Sequence, residues 1–237
     1  MMKKALFFVL VLCFSTTLLS AAAKGKSSKP KSSQMQLVFD VGALYTHFSN
    51  HHSHGSGYNG HAFNLGGLSF VLRGEFKGTF GFYAMANFGF GNVLHAITRR
   101  SNYYHSEKVN ANVVYAIDSQ FGFFYLFKPV KNLEILLGGG LALGGSGWNR
   151  PKYSTNTDMR MHCTNLGGGI NFEVAYMLTK MIGVYGGLSE TMYAPVGVVI
   201  STDSTTTSYT GTAIQHKADI GRFSNSFSLK AGVQFKL

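Results

Sequence analysis

From Gln36 onward the chain alternates apolar positions with polar or small ones at a period of two, the signature of strands facing two different environments. Leu37, Phe39, Val41, Ala43 and Tyr45 share one face of a first strand, opposite Val38, Asp40, Gly42, Leu44 and Thr46. The last stretch is cleaner. Phe227, Leu229, Ala231, Val233, Phe235 and Leu237 are all apolar, while Ser226, Ser228, Lys230, Gly232, Gln234 and Lys236 between them are polar or glycine. The same alternation runs through residues 80–90, 113–127, 133–143, 166–176 and 182–188, interrupted on the apolar side of 113–127 only by Ser119. A further strand around Leu68, Phe70 and Leu72 loses phase at Gly66-Gly67, where a bulge is expected. These segments make eight strands.

The spacing between strands says more than any one of them. Residues 76–79, 128–132 and 179–181 are tight connections, whereas 49–60, 92–112, 146–160 and 193–222 are long and polar. They alternate long, short, long, short, long, short, long. Outer-membrane barrels sort their connections this way, with short periplasmic turns and long external loops. Strands in lipid must also close on themselves, because an open edge leaves backbone groups unpaired. The expected fold is therefore all-β: an eight-stranded antiparallel transmembrane up-and-down barrel, short periplasmic turns at one end, long extracellular loops at the other. An even strand number puts both termini in the periplasm. A soluble β-sandwich is the alternative, but it has no reason to sort its loops.

Composition agrees. Charged residues are 13% of the chain, against the roughly 25% of soluble domains, and there are 29 glycines. The start of the chain reads as a separate segment. Met1-Met2-Lys3-Lys4 is a basic head, an apolar run follows to Leu19, and Ser20-Ala21-Ala22-Ala23 supplies small residues. That is the pattern of a cleaved secretory signal over residues 1–23. Its apolar run of about 15 residues is shorter than the roughly 20 a spanning helix needs. Residues 24–33 form a basic, flexible leader containing Pro30, and 34–237 are the barrel. Cys13 leaves with the signal, so Cys163 has no internal partner for a disulfide.

Charge sorts by face and by end. The apolar face carries no charged residue except Glu190 near the outer rim. The second face places Asp40, Arg73, Glu75, Asp118, Glu134, Glu173, Lys230 and Lys236 in the lumen. An eight-stranded barrel is just narrow enough for side chains to fill, so these charges are expected to pair across it. Val38, Leu44, Val71, Phe124 and Leu136 point inward as well and leave room for a narrow apolar gallery. Much of the formal net charge of +11 comes from Lys77, Lys128, Lys131 and Lys180 in the short turns and Lys24, Lys26, Lys29 and Lys31 in the leader. A basic rim of this kind meets anionic headgroups. There is no Arg-and-aromatic stripe of the kind that binds nucleic acid, and nucleic acid is not expected as a partner.

A signal, eight alternating strands, the short-turn and long-loop order and the closing strand SFSLKAGVQFKL together resemble the small outer-membrane barrels of the OmpW, OmpX and OmpA-domain type. The resemblance is architectural and covers the whole mature chain. It implies outer-membrane lipid and the barrel-assembly machinery as partners, with Phe235 and Leu237 as the assembly signal. Those families usually end on an aromatic residue, whereas this chain ends on Leu237. OmpW-like proteins form a narrow, partly apolar channel, which the inward apolar set matches in kind.

Histidine is the unusual residue. All nine lie in or beside expected external loops: His47, His51, His52, His54, His61, His95, His105, His162 and His216. His51, His52, His54 and His61, in a Gly/Ser-rich loop, are the candidate ligands for a borderline metal. They lack an adjacent carboxylate and a regular ligand spacing, and no cofactor is expected. Trp148 reads as a loop aromatic and Cys163 as a packed thiol. No ordered catalytic motif is present: Gly145-Ser146-Gly147 lacks the flanking glycines of a nucleophile elbow, and Gly138-Gly139-Gly140 sits inside a strand. An enzyme, of the lipid-modifying barrel kind, is the third reading. Two function classes precede it. One is a structural barrel or narrow channel for small solutes; the other is a surface adhesin or ligand-binding protein acting through its long, His-rich outer loops.

Overall fold

The computed structural model describes residues 35–54, 57–76, 79–100, 103–150, 159–202, 206–210 and 224–237, with only the backbone for the strand ends farthest from the short turns. Nine strands form one antiparallel sheet: β1 Met35–His54, β2 Gly57–Phe76, β3 Phe80–Arg100, β4 Tyr103–Val130, β5 Leu133–Arg150, β6 Met159–Met177, β7 Ile182–Thr202, β8 Thr206–Thr210 and β9 Ser224–Lys236. Each long strand pairs with the next, β7 with β9, and β9 with β1, which closes an eight-stranded barrel. The short β8 lies outside that ring and, among the described residues, pairs only with β7, Gly197–Ser201.

Closure sets the stagger. From Phe39 the direct pairs run through Leu72, Ala84, Phe121, Leu141, Gly168, Met192 and Asn225 back to Ser49, ten residues further along the same strand. Such a stagger tilts the strands to roughly 40° from the barrel axis. A circuit therefore climbs as it goes round.

Alternation becomes inside and outside. Leu141, Phe123, Tyr125 and Leu137 are 72%, 69%, 60% and 60% exposed on the outer face. The inward residues of the same strands, Gln120, Phe124, Leu136 and Ala142, are buried. Aromatic rings gather at the short-turn end, where Phe76 lies 5.7 Å from Phe80 and 5.9 Å from Phe82. Asn132 closes the β4–β5 turn in a left-handed conformation (φ 72°), which Asn tolerates better than most residues.

Three expectations need correction. β2 has no phase break: Phe63, Leu65, Ser69, Val71, Arg73 and Glu75 all face inward, and its register with β1 is continuous. The register shift lies between Phe63 and Gly66 in the β2–β3 ladder, where β3 carries the extra residue. The sequence misleads here because apolar residues change sides. Leu68 faces out, but Phe63 and Leu65 belong to an apolar cluster inside. The second correction concerns the loops. Residues 49–54 and 57–60, and most of 92–112, continue the ladders as paired strand. The third concerns the long polar connection 193–222, which carries the end of β7 and the short β8. The signal, the leader, and residues 151–158 and 211–223 lie outside the described residues.

Candidate functional site: the lumen

All eight charged residues assigned to the lumen are buried, from Asp40 and Glu75 at 0% exposure to Lys236 at 8%. Their side chains assemble in tiers. At the short-turn end Glu134 on β5 takes a salt bridge from Lys128 at 3.1 Å, a second from Lys236 on β9, and a hydrogen bond from the Gln234 amide at 3.3 Å. One tier further in, the Arg73 guanidinium lies 3.0 Å from Asp40 Oδ2 and donates to Oδ1 at 3.3 Å, its carbon 5.9 Å from the Phe124 ring centroid. Beside it Lys230 Nζ donates to Glu173 Oε1 at 2.5 Å, and Asn171 Nδ2 donates to the same oxygen at 3.0 Å. Val71, Tyr83, Met85, Phe124, Leu126 and Leu136 form an apolar cluster along β2 to β5. The lower lumen thus has an apolar wall and an ionic one.

The middle tier exchanges ion pairs for hydroxyls. Asp118 accepts hydrogen bonds from Tyr193, from Thr191 at 3.4 Å and from Ser226 at 3.4 Å. Gln120 accepts from the Tyr83 hydroxyl at 3.0 Å and donates to Thr191 Oγ1 at 2.5 Å. A carboxylate with several hydroxyl donors is a satisfied buried acceptor without a cation beside it. Glu75 differs: neither of its carboxylate oxygens has a hydrogen-bond partner among the described residues. Of the eight expected charges, six form ion pairs, Asp118 uses hydroxyls, and Glu75 does neither.

Toward the long hairpins the lumen turns apolar. Phe48, Phe63, Leu65, Ala111, Val114, Ala116, Ala142, Trp148, Met161, Cys163 and Tyr193 form one buried cluster. Phe48 stacks on Phe63 at 6.4 Å and on Tyr193 at 5.9 Å. These side chains come from β1, β2, β4, β5, β6 and β7, so they meet across the barrel rather than along one wall. Trp148, expected as a loop aromatic, is 6% exposed, because β5 continues to Arg150 and turns position 148 inward. Cys163 is buried beside it.

Sequence reasoning finds the charged lumen residues because charge stands out among apolar positions. It misses the hydroxyl tier and the aromatic cap. Thr191, Ser226 and Tyr193 carry no charge, and an inward Phe looks like any other strand apolar. Of the expected metal ligands, His61 alone has a described side chain. The side chains of His51, His52 and His54 lie outside the described residues; His61 lies 5.2 Å, ring to ring, from Trp148. Among the described residues no group of three His, Cys, Asp or Glu is placed to hold a metal ion. Phe235 faces outward in β9, and Leu237 is 73% exposed just after it.

A closed ring of eight antiparallel strands, apolar outside and filled with polar and aromatic side chains inside, is a small outer-membrane-type β-barrel. The chain belongs to the family described as Domain of unknown function (DUF2715), which matches residues 17–237. No curated protein matches it. Its fold is shared by the outer membrane protein OprG from Pseudomonas aeruginosa, at 9% identity and a TM-score of 0.58, covering 86% of this chain and 97% of that one. A major outer membrane protein from Thermus thermophilus is similar at 13% identity and 0.55, covering 85% and 99%. Neisserial surface protein A is similar at 13% identity and 0.50, covering 85% and 97%.

Proposed function

We propose that this protein is a non-conducting outer-membrane barrel that anchors long, paired hairpins at the cell surface, where they act as the ligand-binding part. The observation that carries this reading is the double closure of the lumen. An ion-paired tier lies below, and an aromatic cap built from six strands lies above. A solute would have to displace both. The strands also exceed what a bilayer needs: β4 has 28 residues, whereas a tilted membrane strand takes about 9–11. The surplus is structure available outside the membrane. On this reading residues 1–23 are removed on export, both termini lie in the periplasm, and the assembly machinery reads Phe235 and Leu237.

Conductance across planar bilayers tests the closed lumen. The purified protein is expected to insert without discrete openings, and regular single-channel events in the unaltered protein would overturn the reading in favour of a narrow channel. The lipid face has its own test. Leu141→Arg puts a charge on the most exposed outward leucine within a strand and should destabilise the barrel by about 2–4 kcal/mol when unfolded from lipid vesicles. An effect within about 0.5 kcal/mol would mean that this face meets water.

A further inference from the structure

The outer face is not uniformly apolar. Because the ladder climbs as it circles, a row of directly paired outward residues rises toward the long hairpins from β6 to β2. One such row starts apolar at Ile170 and continues through Glu190, Phe227, His47 and Asn64. Asn225 lies one outward position above Phe227 on β9. His47 Nδ1 and Asn64 Oδ1 are 2.8 Å apart, Asn64 is exposed, and Phe227 is 36% exposed between Glu190 and His47. On β4 and β6 apolar residues reach outward as far as Val113 and Leu166, 51% and 48% exposed, with Ser119 the interruption on β4. The row's own polar residues lie together on β7, β9, β1 and β2, toward the long-hairpin end, although Met192 and Val196 are still outward above Glu190 on β7 and an exposed Tyr115–His162 pair spans β4 and β6.

Their chemistry is specific. A carboxylate accepts two hydroxyls, carboxamides donate and accept, and imidazole does either, all around one flat ring. This is what the hydroxyl groups and the apolar face of a hexose require. A phosphate would meet the Glu190 carboxylate, and no Lys or Arg belongs to the patch. The height matters equally: a polar group against acyl chains is unfavourable unless hydrogen-bonded, and at the edge of the band a headgroup supplies those bonds. We propose that this patch binds the uncharged sugar headgroup of an outer-leaflet glycolipid. The inference rests on the membrane reading above.

The test uses purified protein in nanodiscs of phosphatidylcholine containing a monohexosyl diacylglycerol, read by native mass spectrometry. The protein should retain glycolipid in preference to phosphatidylcholine, and Glu190→Gln combined with Asn225→Ala should lower that retention roughly tenfold. A photoreactive residue at position 227 should cross-link to the sugar. Heat-modifiable gel migration confirms that each variant is closed. Equal retention by the double variant overturns the proposal, as does equal competition by a soluble methyl hexoside, or cross-linking between two copies of the chain. Protein that fails to enter nanodiscs refutes the membrane reading itself, whereas protein that enters and ignores the glycolipid refutes only the patch.

Discussion

Lys230→Met should lower the stability of the barrel by about 3–5 kcal/mol in urea unfolding from lipid vesicles. Lys230 Nζ lies 2.5 Å from Glu173 Oε1, with the two side chains 0% and 2% exposed. Removing the ammonium leaves a buried carboxylate on which, among the described residues, the Asn171 amide is the remaining hydrogen-bond donor to that oxygen. The loss comes chiefly from that stranded charge and only partly from the pair itself. The double variant Lys230→Met with Glu173→Gln should accordingly regain most of the stability, since replacing both members of a buried pair is often close to neutral. A single variant within about 1 kcal/mol of the parent would show the pair to be solvated and the lumen open.

Trp148→Ala is the second large effect expected, again about 3–5 kcal/mol, by the route of a deleted core aromatic. Trp148 is 6% exposed in the cluster that also holds Met161 and Cys163, and closely packed surroundings relax only in part around a void. Trp148→Phe should restore much of the loss. The same alanine variant thins the cap, so brief openings should appear in bilayers where the parent has none. Thermal unfolding of Trp148→Ala that matches the parent would remove Trp148 from the core.

How legible all this is from sequence depends on whether a residue's environment differs from its neighbour's. β9 is readable to its last residue because one face is apolar and the other is polar or glycine, with Lys230 and Lys236 marking the inside. Asp40, Glu134 and Glu173 stand out for the same reason. Where the interior itself becomes apolar the contrast disappears. Phe63 and Leu65 then imitate a change of phase, and Trp148 imitates a loop residue. The hydroxyl tier around Asp118 needs the register of four strands, β4, β7, β9 and β1, before Thr191, Ser226 and Thr46 become neighbours. Extension of the ladders beyond the apolar band is equally silent in sequence. His, Asn and Gly along 50–54 and 57–60 read as loop residues, and only pairing with the partner strand makes them strand.

That extension changes how the far ends of the hairpins meet another molecule. β1 and β2 pair without a register break out to His54 and Gly57. A loose loop of the same length gives up on the order of 1–2 kcal/mol per residue in backbone freedom when a ligand fixes it. Here that freedom is lost during folding, before any encounter. On the proposed function, recognition at these ends would therefore be closer to the docking of two shaped bodies than to the wrapping of a chain, with its selectivity set by contour.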